Sequence, residues 1–214
     1  KKQRERPDNQ AEWFPDRGTF KLYTAYQKEI AGDDIGVYLN FNTKENEVIE
    51  VQIGVSFVSI ANARENLNAE QKGKDFNAIA QEARQKWNTD LKQIEVEGGT
   101  KDEQTIFYTA LYHTLIHPNI LQDVNGDYPA MESNKALKQH EGNRYTVFSL
   151  WDTYRNLHQL MTLLYPNRQR DMVKTMINMY DECGWLPKWE LYGRETYTME
   201  GDPSIPVIVD CWLK

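Results

Sequence analysis

Basic residues are in deficit: 25 Lys and Arg against 32 Asp and Glu leave a formal net charge of −7. A phosphate backbone is bound by a basic face, so nucleic acid is not an expected partner. Long apolar runs are also missing. None approaches the roughly 20 residues that a helix needs to span a bilayer, so no membrane span is expected. Cysteine is scarce, with only Cys183 and Cys211. Two thiols at that separation make neither a disulfide framework nor a metal site, and they leave the compartment open. The opening "KKQRERPDNQ" is charged with no apolar stretch behind it. No signal peptide is expected there, though a trimmed exported protein would read the same way. Internal repeats and low-complexity segments are absent as well.

The composition that remains is globular. Of 214 residues, 40% are hydrophobic and 27% charged, enough for one large domain or two small ones. The pattern changes character near residue 62. Before it, "TFKLYTAY" alternates from Phe20 to Tyr26, and "GVYLNFN" places Val37, Leu39 and Phe41 on one side. "VIEVQIGVSFVSI" does the same with Ile49, Val51, Ile53, Val55 and Phe57. Period two, with turn-forming "AGDDIG" and "NTKENE" between, predicts half-buried antiparallel strands.

Beyond Asn62 the period is helical. Phe76, Ile79, Ala83, Trp87 and Leu91 recur three or four apart. Thr100 and Glu103 form a capping-box pair that opens a helix running toward Pro118. Further helices are expected over 150–165, stopped by Pro166, and over about 169–183, stopped by Gly184. A last one begins at "PSIPVIVDCWLK", with Ser204 as its cap. Its periodic pattern carries no stop signal before Lys214, so the polypeptide reads as a piece of something longer. Strands followed by successive helices mean an α+β arrangement of two regions rather than one βαβ fold.

Three groups of residues invite a chemical reading. His113 and His117 in "HTLIH" stand one helical turn apart, but Thr114 replaces the Glu of a zinc-protease motif. Asp123, Asn125 and Asp127 in "DVNGDY" alternate as calcium-loop ligands do. Tyr128 and Asn134 fall where that loop needs Gly and Glu, and Asn125-Gly126 is the better hairpin turn. The third group is denser: Trp151-Asp152, Trp185, Trp189-Glu190, Arg194, Glu195, Glu200 and Asp202 lie within about 50 residues. Sugar rings offer apolar faces to indole and hydroxyl rims to charged partners, which this mixture supplies. A buried aromatic core with salt-bridged surface acids would give the same composition. Glycines and prolines in "CGWLPKWELYGRE" and "GDPSIP" place these residues on loops between helices, where sites are more often built.

At those residues the sequence resembles glycoside hydrolase family 92. The likeness is carried in order by "IGVSFVSIANARENLNAE", "FYTALYHTLIHPN", "DVNGDY", "FSLWDTYRNLHQLMTLLYP", "WLPKWEL" and "PVIVDCWLK", spanning residues 36–214. The family consists of calcium-dependent, inverting exo-α-mannosidases. The resemblance implies part of an antiparallel β-sandwich over 1–62 and a linker helix region over 63–98. The first part of an (α/α)6 toroid, incomplete at its C-terminal end, would occupy 99–214. It implies a mannose-containing glycan as substrate and a periplasmic or secreted location.

By the same resemblance Trp151 and Asp152 hold the terminal mannose, Trp189 and Glu190 face the same sugar site, and Asp202 lies in a contact block. Pro203 departs from the His usual there. The family's acid and base lie in Glu-Gly-Asn and Gly-Asn-Asp-Asp blocks further along. Glu141-Gly142-Asn143 lacks the right neighbours, so no catalytic residue is expected in this chain. Calcium ligands too are expected mainly outside it. Two rival readings stay open: a non-catalytic carbohydrate-binding or structural module, and another (α/α) toroid glycosidase in which Asp152 or Glu190 acts directly.

Overall fold

The alternating and helical parts of the sequence meet at Ser59, whose hydroxyl accepts the Asn62 N–H at 3.1 Å and caps a helix. The computed structural model describes residues 2–4, 20–22, 36, 39–139 and 141–214. By contacts the chain divides into two compact units, Lys1–Ile49 and Glu50–Lys214. In the first, β1 (Lys2–Arg4) pairs antiparallel with β2 (Phe20–Leu22). The strand expected over 20–26 is met at its first three residues. Residues 23–26 and Val37 lie outside the described residues.

The strand expected from Ile49 to Phe57 is not formed, and this corrects the alternation reading. No residue of that stretch belongs to a described sheet. A strand needs a neighbour to complete its ladder of backbone bonds. Here helix α1 (Ile60–Gln71) takes that place with its side chains. The Asn66 amide donates to the Val55 carbonyl at 2.8 Å, and the Gln71 amide donates to the Ile53 carbonyl at 3.3 Å. The approach is so close that a Cβ on Gly54 would collide with the Ala63 carbonyl and the Leu67 side chain. Alternation survives as sidedness. Gly54, Ser56 and Val58 are half-buried, while Val51, Ile53, Val55 and Phe57 are exposed.

Next come α2 (Phe76–Leu91) and α3 (Lys101–Thr114), which meet where the Trp87 and Tyr112 ring centroids stand 4.5 Å apart. The capping box is present at α3: Glu103 N–H donates to Thr100 at 3.2 Å, and Thr100 N–H donates back to the Glu103 carboxylate at 2.7 Å. Strands β3 (Asn119–Ile120), β4 (Asp127–Pro129), β5 (Ala136–Lys138) and β6 (Tyr145–Thr146) form two small antiparallel pairs, β3 with β6 and β4 with β5. Asn125-Gly126 does make a turn, closed by Gly126 N–H to the Asp123 carbonyl at 2.8 Å. The flanking strands then pair elsewhere rather than with each other.

After β7 (Phe148–Ser149) the single helix expected over 150–165 is broken into α4 (Leu150–Thr153) and α5 (Leu157–Leu164). The Gln159 side-chain amide takes the Tyr154 carbonyl at 3.0 Å, so that carbonyl needs no helical N–H. Helix α6 (Pro166–Cys183) starts on Pro166 itself, because proline fits a first helical position. It ends at Gly184, with φ 90°. Strands β8 (Trp189–Leu191) and β9 (Arg194–Glu195) precede α7 (Ser204–Leu213). Ser204 is not the cap of α7. Its hydroxyl donates instead to the Pro187 carbonyl, and Pro203 holds the cap position.

Helices mixed with small antiparallel sheets make this an α+β structure. The core lies where α6 turns Met172, Met176 and Met179 onto Phe148, Leu150 and Val207. Those methionines stand at i, i+4 and i+7, one face of a helix, and their flexible thioethers fill the gap between short elements. Among the described residues no helix is long and apolar enough to cross a membrane.

His158 is buried in this packing, with Nε2 3.1 Å from the Thr153 hydroxyl and Nδ1 3.0 Å from the Gln169 amide oxygen. Burial holds its pKa below the ordinary 6.5, against the hydrogen bond it makes to the Gln169 amide oxygen. The unfolded chain therefore binds the proton more tightly than the folded one. Stability falls as pH drops below about 6.5 and goes on falling to the folded value. Urea unfolding at pH 7.5 and 5.5 should show a loss in the parent that is smaller in His158→Gln. An equal loss in both would mean that His158 does not titrate with unfolding.

Candidate functional site

Two tryptophan–carboxylate pairs, 38 residues apart in sequence, become neighbours through one strand pairing. In the β7–β8 register Ser149 stands opposite Trp189 and Phe148 opposite Glu190. Leu150 N–H donates to the Lys188 carbonyl at 3.0 Å, which fixes the start of α4 against the same strand. Trp151 and Asp152 follow directly in the first turn of α4, which starts against β8. The loop into α7 joins them: Ser204 is bonded to Pro187, and the Lys188 ammonium donates to the Met199 carbonyl at 3.2 Å. That loop carries Asp202, which is exposed.

The side chains in this group have different situations. Asp152 is exposed, and its Oδ2 accepts the Ser149 hydroxyl at 2.5 Å. Its other oxygen has no hydrogen-bond partner among the described residues and is open to solvent. The Arg155 guanidinium lies 5.1 Å from the Trp151 ring centroid and 5.0 Å from that of Tyr154, within cation–π range. So the carboxylate beside the indole is neither buried nor neutralised by that arginine. It is available.

Glu190 is the opposite case. It is fully buried. Oε1 accepts the Thr146 hydroxyl at 2.7 Å and the Gly193 N–H at 2.5 Å, and Oε2 accepts the Val147 N–H at 3.0 Å. Burial pushes its pKa up, while the bonds from Gly193 and Thr146 and the charge of Arg144 pull it down. Expected beside the sugar, it is placed with both oxygens engaged by internal donors, bracing β6, β7 and the β8–β9 turn.

Glu195 does similar work from the next strand. It accepts backbone N–H groups of Lys188 at 2.8 Å, Trp189 at 3.1 Å, Thr196 at 2.9 Å and Tyr197 at 3.3 Å. Sequence groups Glu195 with the acids of the cluster, but nothing local marks it as a hub. Strands β8 and β9 are joined by Tyr192 and Gly193, with φ 50° and 80°. Two consecutive left-handed residues are what a tight two-residue hairpin requires. The stretch read as a loop between helices is therefore the edge of a three-stranded sheet, β7-β8-β9.

The other candidates separate from this place. Helix α3 ends at Thr114, so His117 lies beyond it and is not one turn on from His113. Its Nδ1 sits 3.1 Å from Asn119 Oδ1. Glu141, of the Glu-Gly-Asn triplet, is a surface side chain 3.7 Å from Lys174. For calcium, the fit among the described residues is poor. No three His, Cys, Asp or Glu side chains gather to hold an ion. Asp123 and Asp127 bind Ser56 and Asn62 instead, at 2.7–3.0 Å, and Asp123 also binds Asn66 at 2.7 Å.

The brace and the open carboxylate predict different mutants. Glu190→Gln puts an amide NH2 where donors already converge, leaving buried N–H groups unpaired. It should cost about 1–3 kcal/mol of stability. Asp152→Asn, on the surface, should stay within about 0.5 kcal/mol. Chemical denaturation of the two variants checks this, and a Glu190→Gln protein as stable as the parent would remove the brace.

Residues 62–214 match the glycosyl hydrolase family 92 catalytic domain. Among solved structures, a family GH92 α-mannosidase from Bacteroides thetaiotaomicron in complex with mannoimidazole aligns at 35% identity and TM-score 0.67. The match covers 71% of this chain and 20% of that one. A family GH92 inverting mannosidase from the same organism aligns at 34% identity and TM-score 0.69, over 74% of this chain and 21% of that one. The chain thus spans about a fifth of the length of these relatives. No curated protein matches it.

Proposed function

Because this chain belongs to glycosyl hydrolase family 92, we propose that it supplies part of the terminal-mannose subsite of an inverting exo-α-mannosidase. The observation that supports the reading is the opposition of Ser149 and Trp189 across β7 and β8, with the Ser149 hydroxyl bonded to Asp152. Mannoimidazole bound to a solved relative is a mannose-like ligand, and an indole beside an open carboxylate suits such a ring.

In this reading Trp151 and Trp189 present faces to the C–H surface of the terminal sugar. Asp152 accepts a sugar hydroxyl with the oxygen that Ser149 leaves free. Asp202 is held on the adjoining loop to reach a further hydroxyl. Inverting hydrolysis needs an acid to protonate the leaving oxygen and a base to activate water on the opposite face, with carboxyls roughly 6.5–9.5 Å apart. Glu190 fills neither role, since internal donors occupy its oxygens. Asp152 holds the ring in place while groups outside this chain carry the proton transfers. Calcium, where the enzyme uses it, would be held by those other parts as well.

A charged hydrogen bond to a hydroxyl contributes about 1.5–3 kcal/mol. Asp152→Ala in the complete enzyme should therefore lower kcat/KM by about 10- to 150-fold, with no recovery on adding azide. Azide rescue would make Asp152 a catalytic carboxylate and overturn the subsite role. The 214-residue chain alone should release no mannose from α-mannobiosides, and turnover by it would overturn the absence of an acid and base.

A further inference from the structure

The loop after β9 holds aromatic rings out in solvent in a conformation that costs free energy. Tyr197 is 71% exposed, yet its φ is 57°, in the left-handed region that favours glycine. Its N–H is bound at 3.3 Å to the Glu195 carboxylate, which also takes the Trp189 N–H at 3.1 Å. Trp185, 43% exposed, brings its ring centroid to 6.4 Å from that of Tyr197, at 58°. One carboxylate thus holds the Tyr197 backbone in register with Trp189, and Trp185 completes an aromatic pair beside it. On the rim, the hydroxyls of Thr196 and Thr198 lie 2.7 Å apart and are open to solvent.

A fixed, exposed pair of rings with hydroxyls at its edge matches the surface of a pyranose, whose C–H face packs on aromatics while its rim hydrogen-bonds. We propose that Trp185 and Tyr197 form a leaving-group subsite, stacking the sugar to which the terminal mannose is attached. The inference rests on the mannosidase reading above. Its direction follows from exo cleavage: the terminal sugar takes the inner place and the rest of the glycan runs outward. The backbones of Tyr197 and Trp189 are tied to the same Glu195 carboxylate, and the two outer rings are the more exposed.

The test uses the complete enzyme and two substrates, an α-linked mannobioside and α-mannosyl fluoride, whose leaving group is no sugar. Tyr197→Gly removes the ring while suiting the left-handed backbone, so its melting temperature should equal or exceed the parent's. Its kcat/KM on the mannobioside should fall about 3- to 10-fold, with the fluoride within about twofold. Trp185→Ala should behave alike, and Tyr197→Phe should keep parental rates. Mannoimidazole, which fills only the terminal subsite, should bind all variants as it binds the parent. An unchanged mannobioside rate in Tyr197→Gly and Trp185→Ala overturns the platform. So does an equal fall on both substrates with a lowered melting temperature, which would make the rings a packing contact for another part of the enzyme. A parent enzyme that hydrolyses neither substrate overturns the mannosidase reading instead.

Discussion

A carboxylate removed from water must be satisfied by the protein or it destabilises the fold, and Glu190 is the one on which the candidate site depends. Its three donors come from β6, from the residue before β7 and from the β8–β9 turn. Strand side chains alternate between faces, so fixing Glu190 inward fixes its neighbours outward. Leu191 is exposed, and Trp189 keeps part of its ring accessible. A slip of one residue would bury the indole and leave the Thr146, Val147 and Gly193 donors without their acceptor. The exposed face of the candidate site is therefore defined by a residue that points away from it.

The same device recurs around it. Glu182 receives both terminal nitrogens of the buried Arg144, at 2.8 and 2.9 Å, along with the Tyr128 hydroxyl and the Met131 N–H. Arg144 lies 4.5 Å above the Tyr128 ring centroid, and burial pushes that phenol up to about 12. Asp123 gathers Ser56, Asn62 and Asn66, which ties the 51–58 segment and α1 to the 123–127 turn. The elements here are short, some only two residues, and cannot bury enough apolar area to hold register alone. Buried carboxylates with several donors do that instead, which accounts for some of the acid excess that sequence alone reads as surface charge.

Local signals in the sequence were legible where the structure also decides locally. The Thr100–Glu103 box, the Gly184 stop and the Asn125-Gly126 turn each depend on neighbours within a few residues. The Ile49–Phe57 strand was misread because alternation records sidedness and not the identity of the partner, and here the partner is a helix offering amide side chains. The break at 154–156 and the diversion of the Ser204 hydroxyl to Pro187 depend on side chains placed by tertiary contacts. At the site, the tryptophan–carboxylate pairs were visible as composition. Their division into an open Asp152 and a sealed Glu190 was not, because it follows from β7–β8 register. Glu195 gave no signal at all, since its partners are backbone N–H groups.

Backbone strain collects in the same place. Of six non-glycine residues with positive φ among the described residues, five (Glu132, Val147, Tyr192, Tyr197 and Met199) lie in or against the loops around β7, β8 and β9. Each such conformation costs on the order of 1–3 kcal/mol unless its surroundings impose it. Four of the five have their N–H captured: Val147 by Glu190, Tyr197 by Glu195, Tyr192 by the Thr146 hydroxyl, and Glu132 by the Gly193 carbonyl. Two of these four N–H groups, those of Val147 and Tyr197, are donors to the buried carboxylates Glu190 and Glu195. At these two positions one hydrogen bond to a carboxylate compensates both the buried charge and the strained backbone. What they produce jointly is a set of short loops whose aromatic side chains cannot relax away from the surface where a sugar would meet them.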